Sequence, residues 1–135
     1  MIVGIPTETF PGERRVALAP AGAASLCKLD CEVHIQAGAG NEAGFTDQMY
    51  EESGAKIISD RTTIFEQADV VVSVRAAGGN PEAGAVDINL MREGQLLVGF
   101  LEPLSDRDAL QALAQSGVTS CAMEMIPRTS RAQSM

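Results

Sequence analysis

Asp69-Val70-Val71-Val72-Ser73-Val74 is the most β-branched run in the chain, with four valines in six residues. Branching at Cβ stiffens the side chain and suits a pleated strand. A run that is apolar without alternation fits a central strand buried on both faces, as in a parallel sheet. Similar segments flank it: residues 2–5 (IVGI), 32–36 (EVHIQ), 56–58 (KII), 95–100 (QLLVGF) and 118–123 (VTSCAM). Helix signals lie between them. Pro20 can open a helix over residues 20–29, because its missing N–H would be unpaired at that position anyway. Thr46 can cap a helix over residues 47–53 with Gly54 as its stop, and Asp60 can cap one reaching Gln67. Ser105 followed by Asp108 reads as a capping box; Leu110, Leu113, Ala114 and Gly117 then fall on one helical face. Residues 76–85 are rich in Gly and Ala and contain Pro81, so they read as a loop, with a short helix over residues 86–92. Strands alternating with helices imply βαβ units. The expected fold is α/β: a doubly wound, mainly parallel sheet of about five to six strands, flavodoxin-like in architecture.

The rest of the composition bounds the function. A chain of 135 residues suits one domain. Eighteen acidic and ten basic residues give a charge of −8. That argues against a nucleic-acid partner, which needs a clustered basic surface, and against a basic helix lying on an anionic membrane. Apolar residues make up 45% and aromatics only 4%, so the core must come from Ala, Val, Ile, Leu and Met. No apolar run approaches the ~20 residues that span a bilayer, and no membrane insertion or secretory signal is expected. Cys27, Cys31 and Cys121 read as free thiols. With His34 the only histidine, no metal site is expected.

Several residues are candidates for chemistry. Gly38-Ala39-Gly40-Asn41-Glu42-Ala43 matches a glycine-rich dinucleotide pattern after a strand, with Asp60 in reach of a ribose role. The best helix start nearby is Thr46, beyond the glycine turn, so a structural loop is the competing reading. His34 lies mid-strand, as a packed histidine or a general base. No carboxylate pair stands out as catalytic. Glu102 and Glu124 each follow a strand and can meet a ligand hydroxyl, or stay solvated or bonded to a loop. Arg14 and Arg15, Arg75, and Arg128 and Arg131 all follow strands. If the strands are parallel, Arg75 and the last loop share one edge, which favours either an anionic ligand or ordinary ion pairing. The polar residues 124–135 follow the last strand, and the chain reads as breaking off within a loop.

Ile5-Pro6-x-Glu8, then Pro11-Gly12-Glu13-x-Arg15-Val16-Ala17-x-x-Pro20, then Gly38-Ala39-Gly40 with Phe45-x-Asp47 and Gly54-Ala55, carry a resemblance. They resemble the N-terminal domain shared by alanine dehydrogenases and the α subunit of proton-translocating nicotinamide nucleotide transhydrogenases. The tail Pro127-Arg128-x-Ser130-Arg131-Ala132-Gln133-Ser134-Met135 is similar to the transhydrogenase signature. Alanine dehydrogenases carry a catalytic His in a Phe-Leu-His context, where this chain has Phe100-Leu101-Glu102. Their substrate Lys and Arg are matched by Arg75 and Arg15. The resemblance therefore favours transhydrogenase. The alternatives are a fragment of an alanine-dehydrogenase-like oxidoreductase, or a non-catalytic dimerisation or scaffold domain.

The resemblance implies a domain like the formate/glycerate dehydrogenase catalytic domain over residues 1–123, and the start of a nucleotide-contacting loop over residues 124–135. It implies NAD(H) bound between this subdomain and a following Rossmann subdomain that is absent here. NADP(H) would sit on a partner domain, and protons would cross a membrane domain. Arg128 and Gln133 would orient the nicotinamide and its ribose, with Arg131 and Ser134 supporting the loop; Arg15, Arg75 and Glu102 would line a possible pocket. The implied partners are the rest of the α subunit, the β subunit and a second copy in a homodimer. The implied location is peripheral, on the cytoplasmic side of the inner membrane. Helices from the C-terminal part of such proteins return to this subdomain. The chain alone is expected to lack transhydrogenase activity.

Overall fold

The computed structural model describes residues 1–127. In chain order the elements are β1 (Ile2–Ile5), α1 (Pro20–Cys27), β2 (Glu32–Gln36), α2 (Asp47–Glu52), β3 (Lys56–Ile58) and α3 (Arg61–Gln67). They continue with β4 (Val70–Arg75), α4 (Pro81–Leu90), β5 (Leu96–Phe100), α5 (Arg107–Ser116) and β6 (Thr119–Ala122). All six strands are parallel, in the order β3-β2-β1-β4-β5-β6. Val3 pairs with Val33 on one side and Val70 on the other, so β1 and the valine-rich β4 lie at the centre.

Two apolar layers sandwich the sheet. Phe65 of α3, Ile88 of α4 and Leu113 of α5 close over Val71 and Leu97 on one face. Ala23 of α1 and Tyr50 of α2 pack with Val3, Val33 and Ile35 on the other. Tyr50 is fully buried and donates its hydroxyl to the Leu18 carbonyl at 2.8 Å, so the largest core side chain also satisfies its polar atom.

The expected α/β sheet is present, and two local expectations need correcting. Residues 76–85 are not a loop. They form a tight 3₁₀ turn over Ala77–Gly79, and α4 then begins at Pro81 and ends at Leu90. Pro81 starts the helix rather than breaking it, since its φ is already helical and no N–H is needed there. The glycines serve packing: a Cβ on Gly78 would sit 2.6 Å from the Leu101 carbonyl oxygen and 2.8 Å from Asp106 Cβ. The cap of α5 is Asp106, not Ser105: its carboxylate accepts from the Ala109 N–H at 2.9 Å. The other expected caps hold, with Thr46 accepting from Met49 N–H and Asp60 from Thr63 N–H.

Candidate functional site

In an open parallel sheet, the chain leaves neighbouring strands in opposite directions at one point, and the two departing loops open a crevice at their carboxyl ends. Here that point lies between β1 and β4. The loop after β1 supplies Glu8, Phe10, Glu13 and Arg15, the end of β4 supplies Arg75, and the turn after β5 supplies Glu102.

The loop is fastened to β4 by its acids. Glu8 accepts from the N–H groups of Val74 at 2.6 Å and Arg75 at 3.0 Å. Burial raises its pKa, and the two N–H donors oppose that rise. Glu13 is the hub. Its side chain is 6% exposed and accepts from Arg15 Nε and Nη2, both at 2.7 Å, and from Arg75 Nε at 3.2 Å. The Arg15 hydrogen bonds hold the Glu13 pKa down at about 2. The Arg75 guanidinium also lies 4.3 Å over the Phe10 ring, a cation–π contact. Buried Asn80 donates to Thr9 Oγ1 at 2.8 Å and ties the same loop to the start of α4.

Arg15, Arg75, Phe100 and Glu102 line a cleft of about 150 Å³. Glu102 has φ of 50°, the left-handed region that side chains other than glycine rarely adopt. Glu124 holds it there: one carboxylate oxygen accepts from the N–H groups of Leu101 at 2.9 Å and Glu102 at 2.6 Å. One Glu124 carboxylate oxygen is thus engaged with backbone, and Glu102 lines the cleft. The arginines do not form a bare cationic edge, because Glu13 is bonded to both Arg15 and Arg75. Arg14 is elsewhere, 75% exposed and paired with Glu42 at 3.3 Å. Arg128, Arg131, Gln133 and Ser134 lie outside the described residues.

A second, larger groove of about 380 Å³ adjoins the cleft, on the face where α1 and α2 pack over β2 and β3. Its lining is mainly apolar, with Val16, Val72, Val98, Phe100 and Met123. Val72 and Val98 are only half-buried there, although parallel strands are ordinarily covered on both faces.

The glycine pattern takes its structural reading. The N–H of Gly38 donates to Asp47 Oδ1 at 2.8 Å, that of Ala39 to the Gln36 carbonyl, and that of Asn41 to the Gly38 carbonyl. These donors are turned into the protein, where a phosphate cradle would present them outward. Asp60 is engaged as the α3 cap. His34 is a packed residue, 4% exposed, with Nε2 2.7 Å from Glu32 Oε1 on β2. Glu13 is the residue that sequence reasoning passed over. The available signal was an acid two places before Arg15, whose ion pair only the fold connects to Arg75.

The sequence matches the family described as "Alanine dehydrogenase/PNT, N-terminal domain" over residues 4–135. It is 40% identical over 135 residues to the NAD(P) transhydrogenase subunit alpha of Cereibacter sphaeroides, covering 100% of this chain and 25% of that one. It is 39% identical over 126 residues to the alanine dehydrogenase of Mycobacterium tuberculosis, covering 93% of this chain and 32% of the relative. The crystal structure of a transhydrogenase from Sinorhizobium meliloti superposes with a TM-score of 0.90 at 35% identity, over 100% of this chain and 38% of that one. The chain thus spans 25% to 38% of the length of these proteins.

Proposed function

Because the chain belongs to the alanine dehydrogenase/PNT N-terminal domain family, we propose that it is the N-terminal part of the NAD(H)-binding component of a proton-translocating NAD(P) transhydrogenase. Glu102 carries this choice within the family. Alanine dehydrogenation needs a group that exchanges a proton with substrate near neutral pH, a task suited to histidine. The cleft presents a carboxylate at that place.

The cleft's size supports a shared site. About 150 Å³ admits a ring-sized group and not a whole dinucleotide, so the chain supplies one wall of a site that a second domain completes. The bound cofactors supply the hydride chemistry, which requires no side-chain nucleophile. This chain's residues orient and shield. Residues 1–123 form the platform, and residues 124–135 begin the nucleotide-contacting loop. Arg128 and Gln133 orient the nicotinamide and its ribose; Arg131 and Ser134 support that loop. Arg15, Arg75 and Glu102 form the adjoining wall. The apolar groove beside them is where returning helices of the larger protein close the sheet. The partners in this reading are a Rossmann half, an NADP(H)-bearing β subunit and a second copy of the chain. Among the described residues no helix is long and apolar enough to cross a membrane, and the proposed position is peripheral, on the cytoplasmic side of the inner membrane.

An NADH titration tests this reading. The chain alone should show no saturable binding. Joined to the remainder of the Cereibacter sphaeroides subunit, it should bind NADH. Arg128→Ala and Gln133→Ala in that joined protein should each weaken binding about tenfold, the scale of one lost hydrogen bond. Tight binding by the chain alone, or unchanged binding by both variants, would contradict it.

A further inference from the structure

Glu8 and Glu124 make the same kind of contact at two strand ends. In a regular strand, successive N–H groups point to opposite neighbours. At the carboxyl ends of β4 and β5, two consecutive N–H groups instead converge on one carboxylate. Pairing of β1 with β4 ends at Gly4 and Val71, and β4 shifts register against β5 between Val72 and Arg75. The chain leaving β1 turns Glu8 back, and its carboxylate takes the N–H groups of Val74 and Arg75. Pairing of β5 with β6 ends at Gly99 and Ala122. The chain leaving β6 turns Glu124 back onto the N–H groups of Leu101 and Glu102. A side chain thus stands in for the departed strand on each side of the β4–β5 pair.

The bonds fall on residues that line the cleft, since Arg75 and Glu102 each have their own N–H held. Glu102 keeps its left-handed φ with further support, because its carbonyl accepts from the N–H groups of Ser105 and Asp106, both at 3.0 Å. Glu124 also fixes the course of residues 124–127, which lead toward Arg128.

We infer that Glu8 and Glu124 are positioning residues, two carboxylate clamps that set the wall of the NAD(H) site by holding the chain leaving β1 and β6 against the ends of β4 and β5. This deepens the NAD(H)-site reading and rests on it. The clamps differ in one respect that a role for charge alone would not predict. Glu8 uses both oxygens, Oε1 for Val74 and Oε2 for Arg75. Glu124 uses Oε1 for both of its donors. Glu8→Gln therefore turns an NH2 donor toward an N–H donor, whereas Glu124→Gln keeps the one oxygen that both N–H groups share.

The test places Glu8→Gln, Glu8→Ala, Glu124→Gln and Glu124→Ala in the subunit joined from this chain and the remainder of the Cereibacter sphaeroides α subunit. NADH affinity is measured at neutral pH. Amide exchange of Val74, Arg75, Leu101 and Glu102 is followed by NMR in the 135-residue chain with the same substitutions, and the spectra check that each keeps the fold. Glu8→Gln, Glu8→Ala and Glu124→Ala should each weaken NADH binding about fivefold, the size of effects carried through neighbours rather than by contact. Each should also speed exchange of the N–H pair it releases. Glu124→Gln should bind NADH within about twofold of the parent and keep its N–H pair protected. Equal losses in the two Gln variants would overturn the inference, because charge rather than clamp geometry would then be at work. Unchanged affinity in both Ala variants would overturn it too. Absence of NADH binding in the joined parent would overturn the NAD(H)-site reading and the inference with it; binding by the parent without this pattern would overturn the inference alone.

Discussion

Gln95→Ala should lower the stability of the chain by about 3–5 kcal/mol, the sum of a cavity and orphaned polar groups. Gln95 is fully buried just before β5. Its Nε2 donates to the carbonyls of Phe65 and Ala68, both at 2.6 Å, and its Oε1 accepts from Arg92 N–H at 2.7 Å. Those carbonyls belong to the last turn of α3 and its cap, where no N–H donor within the helix reaches them. The side chain therefore fastens the end of α3 to the turn that leads into β5. Truncation leaves the Phe65 carbonyl and the Arg92 N–H without this partner. Ala68 keeps a weaker bond from Arg92 Nη2 at 3.0 Å. Gln95→Glu should fare no better, since it turns an acceptor toward two carbonyls. Urea unfolding at neutral pH measures the effect, and a loss below about 1 kcal/mol would show that water replaces the side chain.

Gly40→Ala should cost about 2–3 kcal/mol by overpacking. The cause is crowding, because φ at Gly40 is −89° and any residue can adopt it. An added Cβ would meet the Phe45 carbonyl oxygen at 2.6 Å, Tyr50 Cε2 at 2.7 Å and Phe45 Cβ at 2.9 Å. None of these yields easily. Phe45 N–H is bonded to the Gly40 carbonyl at 2.9 Å, and Tyr50 is anchored through its hydroxyl. The outcome separates two explanations for the glycine pattern. A packing glycine loses stability when substituted; a phosphate-cradling glycine loses nucleotide binding at unchanged stability.

The sheet was legible from local chemistry. Four valines in β4, Pro20 at the start of α1 and the caps Thr46 and Asp60 each act over a few residues, and each sits where its side chain predicts. The start of α4 was illegible because Gly78, in the turn before it, answers to Leu101 and Asp106 across the fold rather than to its own segment. The same distinction governs the site. Arg15 and Arg75 could be assigned to one sheet edge from topology alone. Their neutralisation could not, since Glu13 reaches Arg75 across 62 positions of sequence only once β1 lies beside β4. Glu124 likewise could be placed after a strand, but its hold on the Glu102 backbone appears only when β5 and β6 pair.

Hydride transfer by the protein formed from this chain and the remainder of the Cereibacter sphaeroides α subunit, supplied with its β subunit, tests the central claim most directly. We expect NADH-dependent reduction of an NADP analogue that depends on Arg128 and Gln133, with no alanine-dependent reduction of NAD. Alanine-dependent NAD reduction, or the absence of hydride transfer in a correctly folded assembly, would contradict it.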